Sequence, residues 1–157
     1  MTIKAPSSPF SILDKIRESN RIEGILRRPS KGEITAFNKF MSRPTLDLED
    51  IERFVTAIQP DAKLRRYAGM DVRVGNHYPP AGGTTIPASL MTILNRINTC
   101  SINAWDAHMG YENLHPFTDG NGRSGRMIWY WMMGRNGQSD LGFLHAFYYQ
   151  TLKNVRK

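Results

Sequence analysis

A chain of 157 residues, 40% hydrophobic and 22% charged, has room for one domain with a proper core. Its net charge of +7 and pI near 9.8 point to phosphate-bearing or acidic partners. A single cysteine, Cys100, excludes an internal disulfide and suits a reducing cytoplasm; no apolar run is long enough for a bilayer, and no signal peptide is expected.

Residues 1–8 read as a loose tail. Phe10, Leu13 and Ile16 then mark an amphipathic helix that stops near a glycine C-cap at Gly24. Apolar residues at three- and four-residue spacing predict helices over Glu33 to Met41 and Leu48 to Ile58, the second capped by Thr45 or Asp47. Val72 and Val74 alternate beside Gly75-Asn76, which predicts a short strand and turn ended by Pro79-Pro80 and Gly82-Gly83. Pro87 suits a helix start, and Leu90, Met91, Leu94 and Ile97 carry that helix to about Asn98. A further helix runs from about Ile102 to Leu114. An apolar helix follows at Met127 to Met133, and its Trp129-to-Met133 run is apolar all round, the pattern of a buried central helix. Asn136-Gly137 makes a turn, and Gly142 to Val155 reads as a last helix. The fold class is all-α, a compact helical bundle with one small β-hairpin that must lean on the helices.

The loop between the last two of the inner helices holds most of the chemistry. It reads His115-Pro116-Phe117-Thr118-Asp119-Gly120-Asn121-Gly122-Arg123-Ser124-Gly125-Arg126. A loop that opens a helix offers unpaired N–H groups and the positive end of the helix dipole, so it attracts phosphate. Gly120, Gly122 and Gly125 let the backbone approach an anion and permit φ > 0. Arg123 and Arg126 lie three apart on one face, with planar forks that suit phosphate oxygens. Asp119 is a hard oxygen ligand of the kind magnesium takes beside nucleotide phosphates. His115 is the proton acceptor next to this cradle. The segment reads as one that binds a polyphosphate and moves part of it. A lone histidine in a helical protein is ordinarily a structural donor, and that reading is kept for His77, His108 and His145.

The same segment resembles the Fic motif, His-Pro-Phe-x-Asp/Glu-Gly-Asn-Gly-Arg-x-x-Arg, at every specified position. Trp105, His108, Glu112 and Leu114 also look like the helix that leads into it. The resemblance implies a Fic fold and transfer of AMP from ATP to a hydroxyl side chain of a target protein. It gives His115 the role of base toward the target hydroxyl and Asp119 that of holding Mg2+ against the phosphates. Gly120, Asn121 and Gly122 would form the anion hole, Arg123 would steady the phosphate chain, and Arg126 would grip the γ-phosphate. Phe117 would anchor the loop in the core.

Ser19-Asn20-Arg21-Ile22-Glu23-Gly24 resembles the Fic inhibitory motif, Ser/Thr-x-x-x-Glu-Gly/Asn. The resemblance implies a self-inhibited enzyme in which Glu23 pairs with Arg126, with Ser19 and Gly24 completing the motif. Read alone, Glu23 is an exposed helix-end carboxylate that pairs with Arg21 or Arg27 and contributes little. The domain then divides into a tail (1–8), a helical segment with the inhibitory motif (9–28) and a Fic core (29–157). Val72, Arg73, Val74 and Gly75 look like the Fic flap, where a target segment docks by strand addition. Tyr148 and Tyr149 resemble the family's tyrosine pair near the nucleotide base, with core packing as the alternative. The partners implied are ATP and a protein with an acceptor hydroxyl, with self-modification as one outcome and no membrane.

Three rivals remain beside this reading. Transfer of phosphate or another phosphate-linked group uses the same fold, although the phosphate-transferring relatives depart from the motif where Gly122 and Arg126 are intact here. Hydrolytic removal of AMP would use the same residues. A nucleic-acid-binding role would rest on Lys63, Arg65 and Arg66 with Arg27, Arg28 and Lys31, which form no continuous helical stripe.

Overall fold

The computed structural model describes residues 11–135, which fold into six helices. They are α1 (Ile12–Ile22), α2 (Lys31–Met41), α3 (Leu48–Ile58), α4 (Thr85–Asn98), α5 (Ala104–Leu114) and α6 (Asn121–Arg135). Three of the starts are reciprocal caps. Ser11, Ser30 and Asp47 each accept from the backbone three residues on, and Asp14, Glu33 and Asp50 reach back to the cap's own N–H. Each pair satisfies two N–H groups that the first turn of a helix leaves without partners. The Ser30–Glu33 cap starts α2 at Lys31, two residues earlier than its apolar spacing suggested. Asn103 caps α5 in the simpler way, accepting from Asp106 N at 2.7 Å, so that helix starts at Ala104 and not at Ile102.

The expectation of an all-α fold holds. The hairpin around Val72 and Val74 shrinks to one antiparallel bridge, Val74 with His77, closed by two backbone bonds of 3.0 and 2.9 Å. Gly75 takes the turn at φ +58. Arg73 spends its guanidinium on Gly75 O and the Tyr78 ring, and no second strand lies beside Val72 among the described residues. A second bridge, Leu64 with Phe117, ties the approach to the flap onto the motif loop.

The core is built around α6. Met127, Ile128, Tyr130, Trp131 and Met132 are buried, while Trp129 and Met133, the two ends of the all-round apolar run, are partly buried against the core. Helix α5 packs along one side of α6, with α1, α2 and α3 on others, and α4 covers α5. Burying a Leu, Ile or Phe side chain contributes roughly 1.5–3 kcal/mol, and Ile51, Val55, Ile86, Leu90 and Phe117 are all essentially out of solvent. Polar clips fix the connections. Asn98 exchanges two bonds with the Leu46 backbone, and Trp131 Nε1 donates to Arg43 O at 3.0 Å. No helix among the described residues is long and apolar enough to cross a membrane. The tail at 1–8, the Asn136-Gly137 turn, the last helix over Gly142 to Val155, and Tyr148 and Tyr149 within it lie outside the described residues.

Candidate active site

The motif joins α5 to α6, and its first residue ends α5. His115 is the C-cap, in the left-handed region at φ 49 and ψ 62. A non-glycine residue there costs on the order of 1–2 kcal/mol, so its surroundings must hold it. Its N–H donates to Tyr111 O at 2.9 Å, and its carbonyl accepts from Arg65 Nε at 2.8 Å. The turn of the chain at His115 leaves its ring half-buried beside the loop. Phe117 is 1% exposed. Its N–H and C=O are both taken by the Asn121 side chain, at 2.9 and 2.8 Å. The Asn121 amide therefore staples the loop, and what Asn121 offers an anion is its backbone N–H in the first turn of α6.

Asp119 is exposed at the mouth of the loop, and its Oδ1 accepts from Gly120 N at 2.7 Å. Among the described residues no group of three or more His, Cys, Asp or Glu side chains converges on one point. A magnesium ion here would thus rely on Asp119, phosphate oxygens and water, which is its habit in nucleotide sites. Of the motif glycines only Gly120 has a positive φ, +77. Gly122 and Gly125 serve another purpose. A Cβ at Gly122 would overlap the Glu23 carboxylate, and one at Gly125 would overlap that of Glu112. The expectation that all three permit φ > 0 toward a ligand is corrected here: Gly125 makes room for a carboxylate of the neighbouring helix α5.

Both motif arginines are buried and committed. Arg123 donates to Ile58 O at 3.2 Å and Gln59 Oε1 at 2.8 Å, at the C-terminal end of α3. Burial pulls its pKa below the ordinary arginine value, Arg126 adds to that, and the carboxylates of Glu23, Asp119 and Glu33 oppose it. Arg126 is 2% exposed and turns to α1. Its Nε donates to Ser19 Oγ at 2.8 Å, and its Nη2 to Ser19 O at 3.0 Å and Glu23 Oε1 at 2.5 Å. Ser19 sits on the last turn of α1 and Glu23 is its C-cap, followed by Gly24 at φ +75, so the helix end presents both groups to one guanidinium. The pairing of Glu23 with Arg21 or Arg27 is overturned, because Glu23 is engaged by Arg126 and Arg27 by Glu33.

That Glu33 is a site residue the sequence reading missed. It is 4% exposed and accepts from Arg27 (2.7 and 3.2 Å), Ser30 N (2.6 Å) and Asn20 Nδ2 (3.1 Å). Burial by itself would raise its pKa; the hydrogen bonds from Arg27, Ser30 and Asn20 outweigh that and hold it at about 2. One carboxylate thus caps α2 and fastens α1 beside the site. The signal was present as Ser30-x-x-Glu33. On the far side of the loop, Tyr111 and Ser124 join α5 to α6 through a 2.6 Å bond, and burial pushes the Tyr111 phenol far up.

Val72, Arg73, Val74 and Gly75, expected to form a flap, lead through the Val74–His77 turn to the end of α5. His77 Nε2 lies 3.0 Å from Asn113 O, which ties the flap turn to the end of the helix that carries His115. A groove of about 1020 Å³ opens between the flap, α4 and α5, lined by His77, Tyr78, Ser89, Thr92, Gly110 and Asn113 among others. The basic cluster offered for nucleic acid does not form: Arg65 is wholly buried, Arg66 pairs with Glu52, and Arg27 with Glu33.

A search of curated proteins finds no match. The family model described as Fic/DOC family matches residues 45–133, more than half of the chain and all of α3 to the motif helix's last turns. With the motif loop, the helix it opens and the flap turn assembled on that span, the chain belongs to the Fic/DOC family, whose members are in general transferases that use nucleotide substrates and act on protein targets.

Proposed function

We propose that the chain is a protein adenylyltransferase held back by its own α1. In the transfer, His115 takes the proton from a hydroxyl side chain of the target protein. The freed oxygen attacks the α-phosphorus of ATP, the bond to the bridging oxygen breaks, and pyrophosphate leaves while AMP stays on the target. Such a reaction needs positioning and charge stabilisation more than covalent help from the protein. The first-turn N–H groups of α6, at Asn121, Gly122 and Arg123, face the phosphates, with Arg123 and Arg126 adding charge. Asp119 would hold Mg2+, which neutralises charge between phosphate oxygens when bound. The target segment lies along the flap at Val72 to Gly75, by main-chain pairing.

The observation that carries the regulatory half is the seat of Glu23. Its carboxylate lies against Gly122, at the N-terminus of α6, and pairs with Arg126. A carboxylate at a helix N-terminus takes the place a phosphate oxygen would take. Segment 9–28 is then a regulatory element on a core of 29–157. ATP must displace Glu23 or bind in a pose that misaligns the α-phosphate.

Mass spectrometry of a lysate incubated with labelled ATP and the Glu23→Gly protein tests both halves. The expected result is AMP on a target hydroxyl or on the protein itself, with more incorporation than wild type gives. Transfer of phosphate alone, or release of AMP from a premodified protein without any incorporation, would replace the adenylyltransferase reading.

A further inference from the structure

Arg65 holds the His115 carbonyl but is assigned no contact with nucleotide or target, and it is 0% exposed. Burying a guanidinium is costly unless every donor finds a partner. Here four backbone carbonyls take four of its five N–H groups. Nε donates to His115 O at 2.8 Å and Nη2 to Leu114 O at 2.9 Å. Nη1 donates to Met70 O at 3.1 Å and Pro80 O at 2.9 Å. The backbone adds two more ties, Arg65 N to Pro116 O at 2.9 Å and Gly83 N to Arg65 O at 3.0 Å. Asp71 offsets part of the burial from a distance.

The acceptors fall into two groups. Leu114 and His115 offer the carbonyls that the end of α5 leaves without helical partners, at the negative end of its dipole. Met70 and Pro80 bracket the flap, one on each side of the Val74–His77 turn. A planar fork with donors on both edges spans the two groups, which a lysine's single ammonium cannot do. The carbonyl of His115 has a particular weight. It belongs to the left-handed residue itself, so fixing it fixes the peptide plane before Pro116 and the direction in which the imidazole leaves the chain.

We infer that Arg65 is a positioning residue that couples the seating of the flap to the orientation of His115. A flap that is pulled from its base takes Met70 O and Pro80 O with it, and the guanidinium loses the two bonds that hold its other edge against α5. A target docked on a seated flap therefore meets an aligned base. The inference rests on the proposed role of His115.

The test uses the full chain with Glu23→Gly and two lesions, one from each side. Arg65→Lys removes the fork. Gly82→Ala acts from the flap, because its Cβ would lie 2.7 Å from both Met70 O and Tyr67 O. Self-modification turnover should fall by about tenfold to a hundredfold in both, with the ATP Kd and KM held within about twofold, since a misplacement of about 1 Å at the reacting groups has that effect. Hydrogen exchange should rise together in peptides covering 67–83 and 113–119, with α1 and α6 protected as before. Unchanged turnover in Arg65→Lys, a rise in only one of the two segments, or a loss of ATP affinity in step with melting temperature would overturn the coupling. If Arg65→Lys fails to fold, Gly82→Ala carries the same readouts. If Glu23→Gly transfers nothing, the proposed function fails, and the exchange pattern alone still decides whether the flap and the His115 loop move together.

Discussion

Replacing Glu23 by glycine removes the carboxylate from Gly122 and from Arg126, and the size of the effect follows from the geometry. The bond from Arg126 Nη2 to Glu23 Oε1 is charge-assisted, and such bonds contribute about 1.5–3 kcal/mol when sheltered. Arg126 is buried but Glu23 is 39% exposed, so solvent screening cuts the contribution to about 1–1.5 kcal/mol. At about 1.4 kcal/mol per factor of ten, ATP should bind about five- to tenfold more tightly to Glu23→Gly than to wild type. The two Ser19 bonds to Arg126 persist, so α1 stays docked and the change reports the latch alone. Turnover should rise by more than affinity, because alignment of the α-phosphate improves as well as binding. Titration calorimetry with ATP and Mg2+ reads the first quantity, and incorporation of labelled nucleotide reads the second. Glu23→Gln separates the causes: it keeps the bulk and removes the charge, so partial release assigns the latch to the ion pair and no release assigns it to occupation of the space over Gly122. Adding Arg126→Ala to Glu23→Gly should abolish the gain. Equal ATP affinity and equal transfer in wild type and Glu23→Gly would rule out a latch, and the Glu23–Arg126 pair would be a structural tie only.

His115→Ala should cut transfer by about 10²–10⁴-fold and leave ATP affinity and melting temperature close to those of the parent, since the base acts on the target hydroxyl. Asn121→Ala leaves the Phe117 N–H and C=O buried without their partner and should cost about 2–4 kcal/mol, read from urea unfolding. Glu33 has a folded pKa near 2 against an ordinary 4.5, so its contribution is fully present above about pH 4.5 and is lost as the pH falls through 2. That contribution is up to about 3 kcal/mol, and Glu33→Gln should flatten the acid limb of the stability profile; identical acid slopes would show that the carboxylate is not held down.

Local signals made much of the fold legible. Helix α3 runs from Leu48 to Ile58 as its spacing indicates, with Asp47 as cap, because period and cap agree there. The motif residues are contiguous, so their proximity to one another was never in question. What the sequence hid depends on distant partners. Arg65 sits between Lys63 and Arg66 and reads as surface charge; its four acceptors come from 5 to 50 positions away. Asn121 reads as an anion-hole residue until Phe117 is seen to claim both ends of its amide. The valine alternation at 72 and 74 promised a strand, but a strand needs a neighbour, and among the described residues only His77 supplies one, to Val74. The Glu23–Arg126 pair spans 103 positions and was still anticipated, because the inhibitory motif resemblance supplied what spacing cannot.

The anchoring of α1 sets the tempo of any switch built on it. Asn20 on Glu33, Ser19 on Arg126 and the Lys15 ammonium over the Tyr130 ring hold the helix independently of Glu23. Freeing the nucleotide seat therefore needs no undocking, only a rotamer change of one partly exposed side chain. Such changes occur in picoseconds to nanoseconds, whereas movement of a packed helix takes microseconds or longer. Under the proposed regulation, the resting enzyme samples its open form continually and inhibition is a matter of occupancy, so a low basal turnover is intrinsic to the design, and a regulator needs only to bias the Glu23 rotamer.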